Sequence, residues 1–163
     1  MKAPISKKYI YRLTAFLCGL ILCAPSPSWA LAIQEQFTMA FGQLLVPSSG
    51  TVVDLEPNGS ISTGSNWYVP NSGARQGRYR FSGTSGTVDI YITNAATCGP
   101  SVTISNFKAV WLGVTYADIS TTGIASTPFD GNERISIGAR LSYGGTTSLG
   151  PCPINFDLNI VYI

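Results

Sequence analysis

From Ile154 onward the chain alternates strictly, with Ile154, Phe156, Leu158, Ile160 and Tyr162 on one side and Asn155, Asp157 and Asn159 on the other. Successive side chains of a strand point to opposite faces, so a period of two with one apolar phase describes a β-strand with a single buried face and excludes an amphipathic helix. Only Val161 and Ile163 interrupt the polar face. The same period recurs upstream. Tyr79 and Phe81 oppose Arg78 and Arg80, and Val88, Ile90 and Ile92 form the inward phase of TVDIYIT. Ile135, Ile137, Ala139, Leu141 and Tyr143 alternate with Arg134, Ser136, Arg140 and Ser142. In SVTISNFKAVWLG the apolar phase changes between Ile104 and Phe107, which a β-bulge would produce.

An earlier run, Leu31 to Phe41, places Leu31, Ile33, Phe37, Met39 and Phe41 in one phase, with Glu35 the polar exception. Turn chemistry separates these runs. Asn58-Gly59 and Asp130-Gly131 suit positive φ, and the GTSG between the strands of GRYRFSG and TVDIYIT reads as a hairpin loop. The stretch from Ile61 to Gly77, rich in Ser, Gly and Asn, is the least regular. About eight to ten short strands and no helical period after residue 30 predict an all-β domain built as an antiparallel sandwich.

Residues 1–30 stand apart from this pattern. Lys2, Lys7, Lys8 and Arg12 precede the apolar run LTAFLCGLILCA, which is too short for a spanning helix of roughly 20 residues. The arrangement predicts a secretory signal peptide cleaved after Ala30 or Ala32, leaving residues 31–163 as one domain with no membrane span. A lipoprotein anchor at Cys23 is disfavoured by Leu22, where a small residue is wanted. Four of the ten basic residues lie in this leader and all eight acids lie beyond it, so six bases against eight acids give the remainder a net charge of −2. That balance offers no general attraction to nucleic acid or to an anionic membrane. Cys98 and Cys152 remain as an even pair in a chain bound for an oxidising compartment. A disulfide between them would close a loop of about 55 residues and contribute on the order of 4 kcal/mol. A two-cysteine metal site lacks companions, since the chain has no histidine.

The absence of histidine also excludes Ser-His and Cys-His catalysis. Lys108 is the one lysine after the leader and reads as solvent-facing. The acids fall on outward strand positions (Asp89, Asp157) or in and beside turns (Asp54, Glu56, Asp118, Asp130, Glu133), so a glycosidase pair is not expected. The segment from Asp54 to Gly59 begins like a calcium loop, but Pro57 intrudes and Ser65 stands where a bidentate Glu belongs; a turn is expected. Arg78, Arg80, Arg134 and Arg140 are expected to pair across strands with Asp89 or Asp157. Trp67 and Tyr68, in a Ser/Gly-rich loop, are the candidate ligand contacts. No catalytic residue, metal or cofactor is expected.

Taken in order, FxxxFG from Phe37 to Gly42, GRYRFSGTSGTVDI, ISNFK, FDGNERISIGARLSYG and a last strand ending in Tyr resemble a bacterial secreted family classed as a domain of unknown function. The resemblance runs from about residue 36 to the end and implies an immunoglobulin-like, pilin-like β-sandwich. Where that family tends to have Gly-x-Tyr before the last strand, Gly150 is followed here by Pro151-Cys152-Pro153. The C-terminus is similar to chaperone–usher fimbrial subunits, with Gly150 and the penultimate Tyr162 at the positions of their conserved glycine and aromatic. That similarity implies assembly by strand exchange. The donor would be Leu31 to Phe41, and the final strand, with Ile154, Phe156, Leu158, Ile160 and Tyr162, would be gripped by a periplasmic chaperone. Partners would be copies of itself or related subunits, a chaperone and an outer-membrane usher, with the product in a surface or extracellular fibre. The competing expectations are a monomeric secreted module binding a glycan or protein through its loops, and an outer-membrane barrel. Most strands here are shorter than the roughly 9 to 11 residues a barrel requires.

Overall fold

The computed structural model describes residues 31–44, 50–63, 73–96, 99–145 and 149–163. The leader, Trp67, Tyr68 and Cys98 lie outside the described residues. What is described is all-β and antiparallel: β1 (Ala32–Phe37), β2 (Ala40–Leu44), β3 (Thr51–Leu55), β4 (Ile61–Thr63), β5 (Ala74–Arg75), β6 (Gly77–Ser82), β7 (Gly86–Ala96), β8 (Val102–Trp111), β9 (Val114–Tyr116), β10 (Ile124–Phe129), β11 (Asn132–Tyr143), β12 (Leu149–Pro153) and β13 (Asn155–Tyr162).

The long strand β11 organises the larger sheet. One edge pairs with β8 along Ile135 to Tyr143, and the other is shared end to end by β6, on Asn132 to Ile137, and β3, on Ala139 to Tyr143. Gly138 sits at the junction. A Cβ there would lie 2.0 Å from the Leu55 carbonyl oxygen, so two strands can abut on this edge only because residue 138 has no side chain. β1 extends the sheet beyond β6, β4 beyond β3 and β9 beyond β8. A second sheet runs β10-β7-β13 and a third β12-β2-β5.

The inward rows are those read from alternation. Tyr79, Phe81, Val88, Ile90, Ile92, Ile135, Ile137, Ala139, Leu141 and Tyr143 are all buried. Trp111 joins the layers, with its ring 5.3 Å from Phe81 and 6.4 Å from Phe129. Phe156 does so too, edge-on to Tyr79 at 5.7 Å and to Phe107 at 5.4 Å. The phase change in β8 is a bulge. Lys108 pairs with Gly138 and Ser105 with Arg140, so Asn106 and Phe107 together oppose Ala139, and Asn106 takes φ 53°. The turn after β3 is also as expected, with Gly59 at φ 86° and its N–H donated to Glu56 O at 2.8 Å.

Two local readings are corrected. The GTSG segment is not a hairpin loop: β6 belongs to the large sheet and β7 to the β10-β7-β13 sheet, so the segment crosses between layers. The run from Leu31 to Phe41 is not one strand. It divides at Thr38-Met39 into β1, paired with β6, and β2, paired with β12 and β5. A register shift between Glu35 and Phe37 also breaks its phase. Ile33 stands opposite buried Phe81, whereas Phe37 stands opposite Arg78, whose guanidinium lies 5.5 Å from the Phe37 ring centroid on the outer face.

Candidate functional site

Two strands present an unpaired edge along one side of the sandwich. Among the described residues β1 pairs with β6 alone and β13 with β7 alone. They belong to opposite layers but begin and end together. At one end a Cβ on Gly83 would fall 2.7 Å from the Tyr162 hydroxyl and 3.2 Å from Leu31 Cδ1. At the other end Ile154 donates its backbone N–H to Met39 O at 2.9 Å. Between these points Phe156, Leu158 and Ile160 of β13 are only partly buried against the core, and Ile33 of β1 is 42% exposed. An open strand edge with a half-buried apolar row can accept another strand through its free N–H and C=O groups.

The expected assembly residues divide into distinct environments. Met39 and Phe41 are fully buried in their own domain, and Ile154, like Cys152, is buried. Leu31, Phe156, Leu158 and Ile160 pack partly against the core. Ile33, Phe37 (48%) and Tyr162 are exposed. Tyr162 nonetheless donates its hydroxyl to Thr84 O and lies 6.3 Å from the Phe129 ring, fastening the end of β13. Gly150 lies in β12, next to β2. Cys152 is buried and disulfide-bonded; Cys98, its expected partner, is outside the described residues.

One polar contact ties β1 down. The Tyr79 hydroxyl donates to Glu35 Oε1 at 3.4 Å. Burial, and then the neighbouring Glu35 carboxylate, push the Tyr79 phenol well above its ordinary value.

The arginines do not meet the acids expected for them, because Asp89 and Asp157 lie in the other layer. Arg140 holds Asp54 through two bonds, at 2.8 and 3.1 Å, and this pairing holds its guanidinium above its ordinary value. Arg80 donates to Asn132 Oδ1 at 2.7 Å, and Arg134 stands directly opposite Arg80. Lys108 is not simply solvent-facing, since it forms an ion pair with Glu56. Among the described residues no three His, Cys, Asp or Glu side chains form a metal-holding group, and no helix is long and apolar enough to cross a membrane.

A feature that sequence reading missed is a cleft of mixed polar and apolar lining on the outer face of β7, where Asp89, Tyr91 and Thr93 meet the chain from Ser120 to Ala125. Its wall comes from the Ser/Thr-rich run from Asp118 to Pro128, whose composition is that of a connection although its second half forms β10.

The fold therefore defines a small antiparallel β-sandwich in which, among the described residues, the adjacent strands β1 and β13 each leave one edge unpaired. The chain belongs to the family described as a domain of unknown function, DUF4402, whose model matches residues 31–162. No curated protein and no solved structure matches the chain.

Proposed function

We propose that this chain is an exported structural subunit, without enzymatic activity, that joins copies of itself or related subunits into a pilin-like surface fibre by exchange of β-strands. The observation that carries this reading is the pair of edges, on β1 and β13, that have no partner among the described residues and bracket a half-buried apolar row formed by Phe156, Leu158 and Ile160. A strand laid along β13 would complete the layer and cover that row. The donor is the segment from Leu31 to Phe37. Met39 and Phe41 remain in their own core, which sets the limit of the exchangeable stretch. Ile33 and Phe37 are 42% and 48% exposed where β1 lies on β6, so withdrawing β1 sacrifices only part of their possible burial, together with the partial packing of Leu31. Reburying both in a neighbour would contribute roughly 1.5 to 3 kcal/mol each before ordering costs. In the same reading Cys152 is bonded to Cys98, and the subunit is held by a periplasmic chaperone before an usher assembles it.

The test compares residues 31–163 with residues 38–163 by size-exclusion chromatography with light scattering and by unheated gel. Strand exchange gives a concentration-dependent ladder for the longer protein. The shorter one should remain a soluble monomer that binds a synthetic peptide of residues 31–37. A longer form that stays monomeric, together with a shorter form that unfolds, would make β1 an ordinary strand of its own sheet and reject the proposal.

A further inference from the structure

The outer face of β7 is far from a plain solvent face. Asp89 and Tyr91 point away from the core there, since Ile90 and Ile92 between and beyond them are buried. Across them the chain entering β10 forms a wall, leaving a cleft of about 360 Å³. Gly123, at φ 64°, brings this wall close: a Cβ would lie 3.0 Å from Ile90 O and 3.6 Å from Tyr91 Cβ. The wall is held by Asp118, itself at φ 52°. Ser120 Oγ donates to its Oδ1 at 2.6 Å, Thr121 Oγ1 to its Oδ2 at 3.0 Å, and Thr122 Oγ1 to its carbonyl oxygen at 3.1 Å. Below, Asp89 Oδ1 accepts the Ser126 N–H at 2.7 Å, with Ser126 at φ 51°. Two non-glycine residues thus hold left-handed backbone beside one cleft, a strain that persists only where surrounding bonds over-determine it.

We infer that this cleft binds a neutral, hydroxyl-rich ligand the size of one or two sugar rings, a glycan terminus. Four properties select that chemistry. Tyr91, 39% exposed, offers an aromatic ring for the apolar face of a sugar. Asp89 keeps its Oδ2 without a partner among the described residues, an acceptor for ligand hydroxyls. The hydroxyls of Ser120, Thr121 and Thr122 donate to Asp118 and retain their own lone pairs for a second bond. No Lys or Arg lines the cleft, whereas Asp89 does and Asp118 supports the wall, so an anionic ligand is repelled. The volume lies at the low end of the usual range for small-molecule sites, about 300 to 1,000 Å³, which suits a chain end better than a long polymer. The cleft lies on the β10 side of β7, and β13 lies on the other, so occupancy does not depend on strand exchange.

The experiment is an amide chemical-shift titration of residues 31–163 with neutral probes (galactose, glucose, N-acetylglucosamine, N-acetylgalactosamine and lactose), alongside glucuronic acid and tetramethylammonium. Expected are saturable shifts clustered at Asp89 to Thr93 and Ser120 to Ala125 with at least one neutral probe. They should be lost in Tyr91→Ala and weakened about tenfold in Asp89→Asn, which removes a charge-assisted bond but keeps the acceptor for Ser126. Both variants should retain the wild-type spectrum elsewhere. No shift with any neutral probe up to about 50 mM, a limit that corresponds to affinities too weak for a built site, overturns the inference. So do shifts unchanged in Tyr91→Ala, or a preference for glucuronic acid or tetramethylammonium. Because the titration is read on dilute protein, a failed strand-exchange test leaves it intact, and its own failure leaves that reading intact.

Discussion

Ile154 donates its N–H to the carbonyl of Met39 at 2.9 Å, and at this bond the two ends of the domain part company. On one side of it β2 and β12 are paired; on the other β1 turns to β6 in one layer and β13 to β7 in the opposite layer. The divergence creates the open side of the sandwich.

The first prediction concerns Cys152, which is buried and disulfide-bonded. Thiol labelling of unreduced, unfolded protein recovered from an oxidising compartment should modify neither Cys98 nor Cys152, and Cys152→Ser should cost about 2 to 5 kcal/mol in denaturant unfolding. Labelling of both residues in the unreduced protein would refute the pairing.

At Gly138 the Leu55 carbonyl leaves no room for a methyl group, and both flanking strands would have to shift. Gly138→Ala should therefore destabilise by about 3 kcal/mol or more, read as a lower urea midpoint. A variant within about 0.5 kcal/mol of wild type would mean that β3 and β6 do not abut there.

Alkaline pH should loosen the domain through Tyr79. Its folded pKa is raised above the unfolded value of 10.0, so the native state holds the proton more tightly. The associated stability is complete below pH 10.0 and is lost progressively as pH rises toward the folded value. Tyr79→Phe should flatten this fall between wild type and variant in urea melts taken above pH 10.0, and parallel curves would contradict it.

The β8–β9 hairpin turns on Leu112-Gly113, with both residues at positive φ, 50° and 79°. Leucine is a poor occupant of that conformation, and Leu112 is 46% exposed. Leu112→Asn should raise stability by about 1 kcal/mol, visible as a higher midpoint in thermal melts. A loss of stability would show that the exposed leucine is holding contacts worth more than the strain.

Alternation identified the inward rows of β6, β7, β11 and β13 and a bulge between Ile104 and Phe107, and turn chemistry identified the turn at Asn58-Gly59. These are local matters: a strand's apolar phase, or a break in it, is written in neighbouring residues. Which layer each strand joins was not legible. A period of two records that one face is apolar without recording the strand that lies beside it, so the GTSG crossing looked like a hairpin. The same blindness made β1 and β2 look like one strand, and the arginines acquired partners from the wrong sheet. Phe37 looked inward until the register shift after Glu35 turned it to Arg78. The open side between β1 and β13, and the cleft where Asp89 and Tyr91 meet the Asp118 loop, arise only when residues far apart in the chain are brought together. Sequence order determined the strands and their buried faces, and tertiary packing decided which edges were left unpaired.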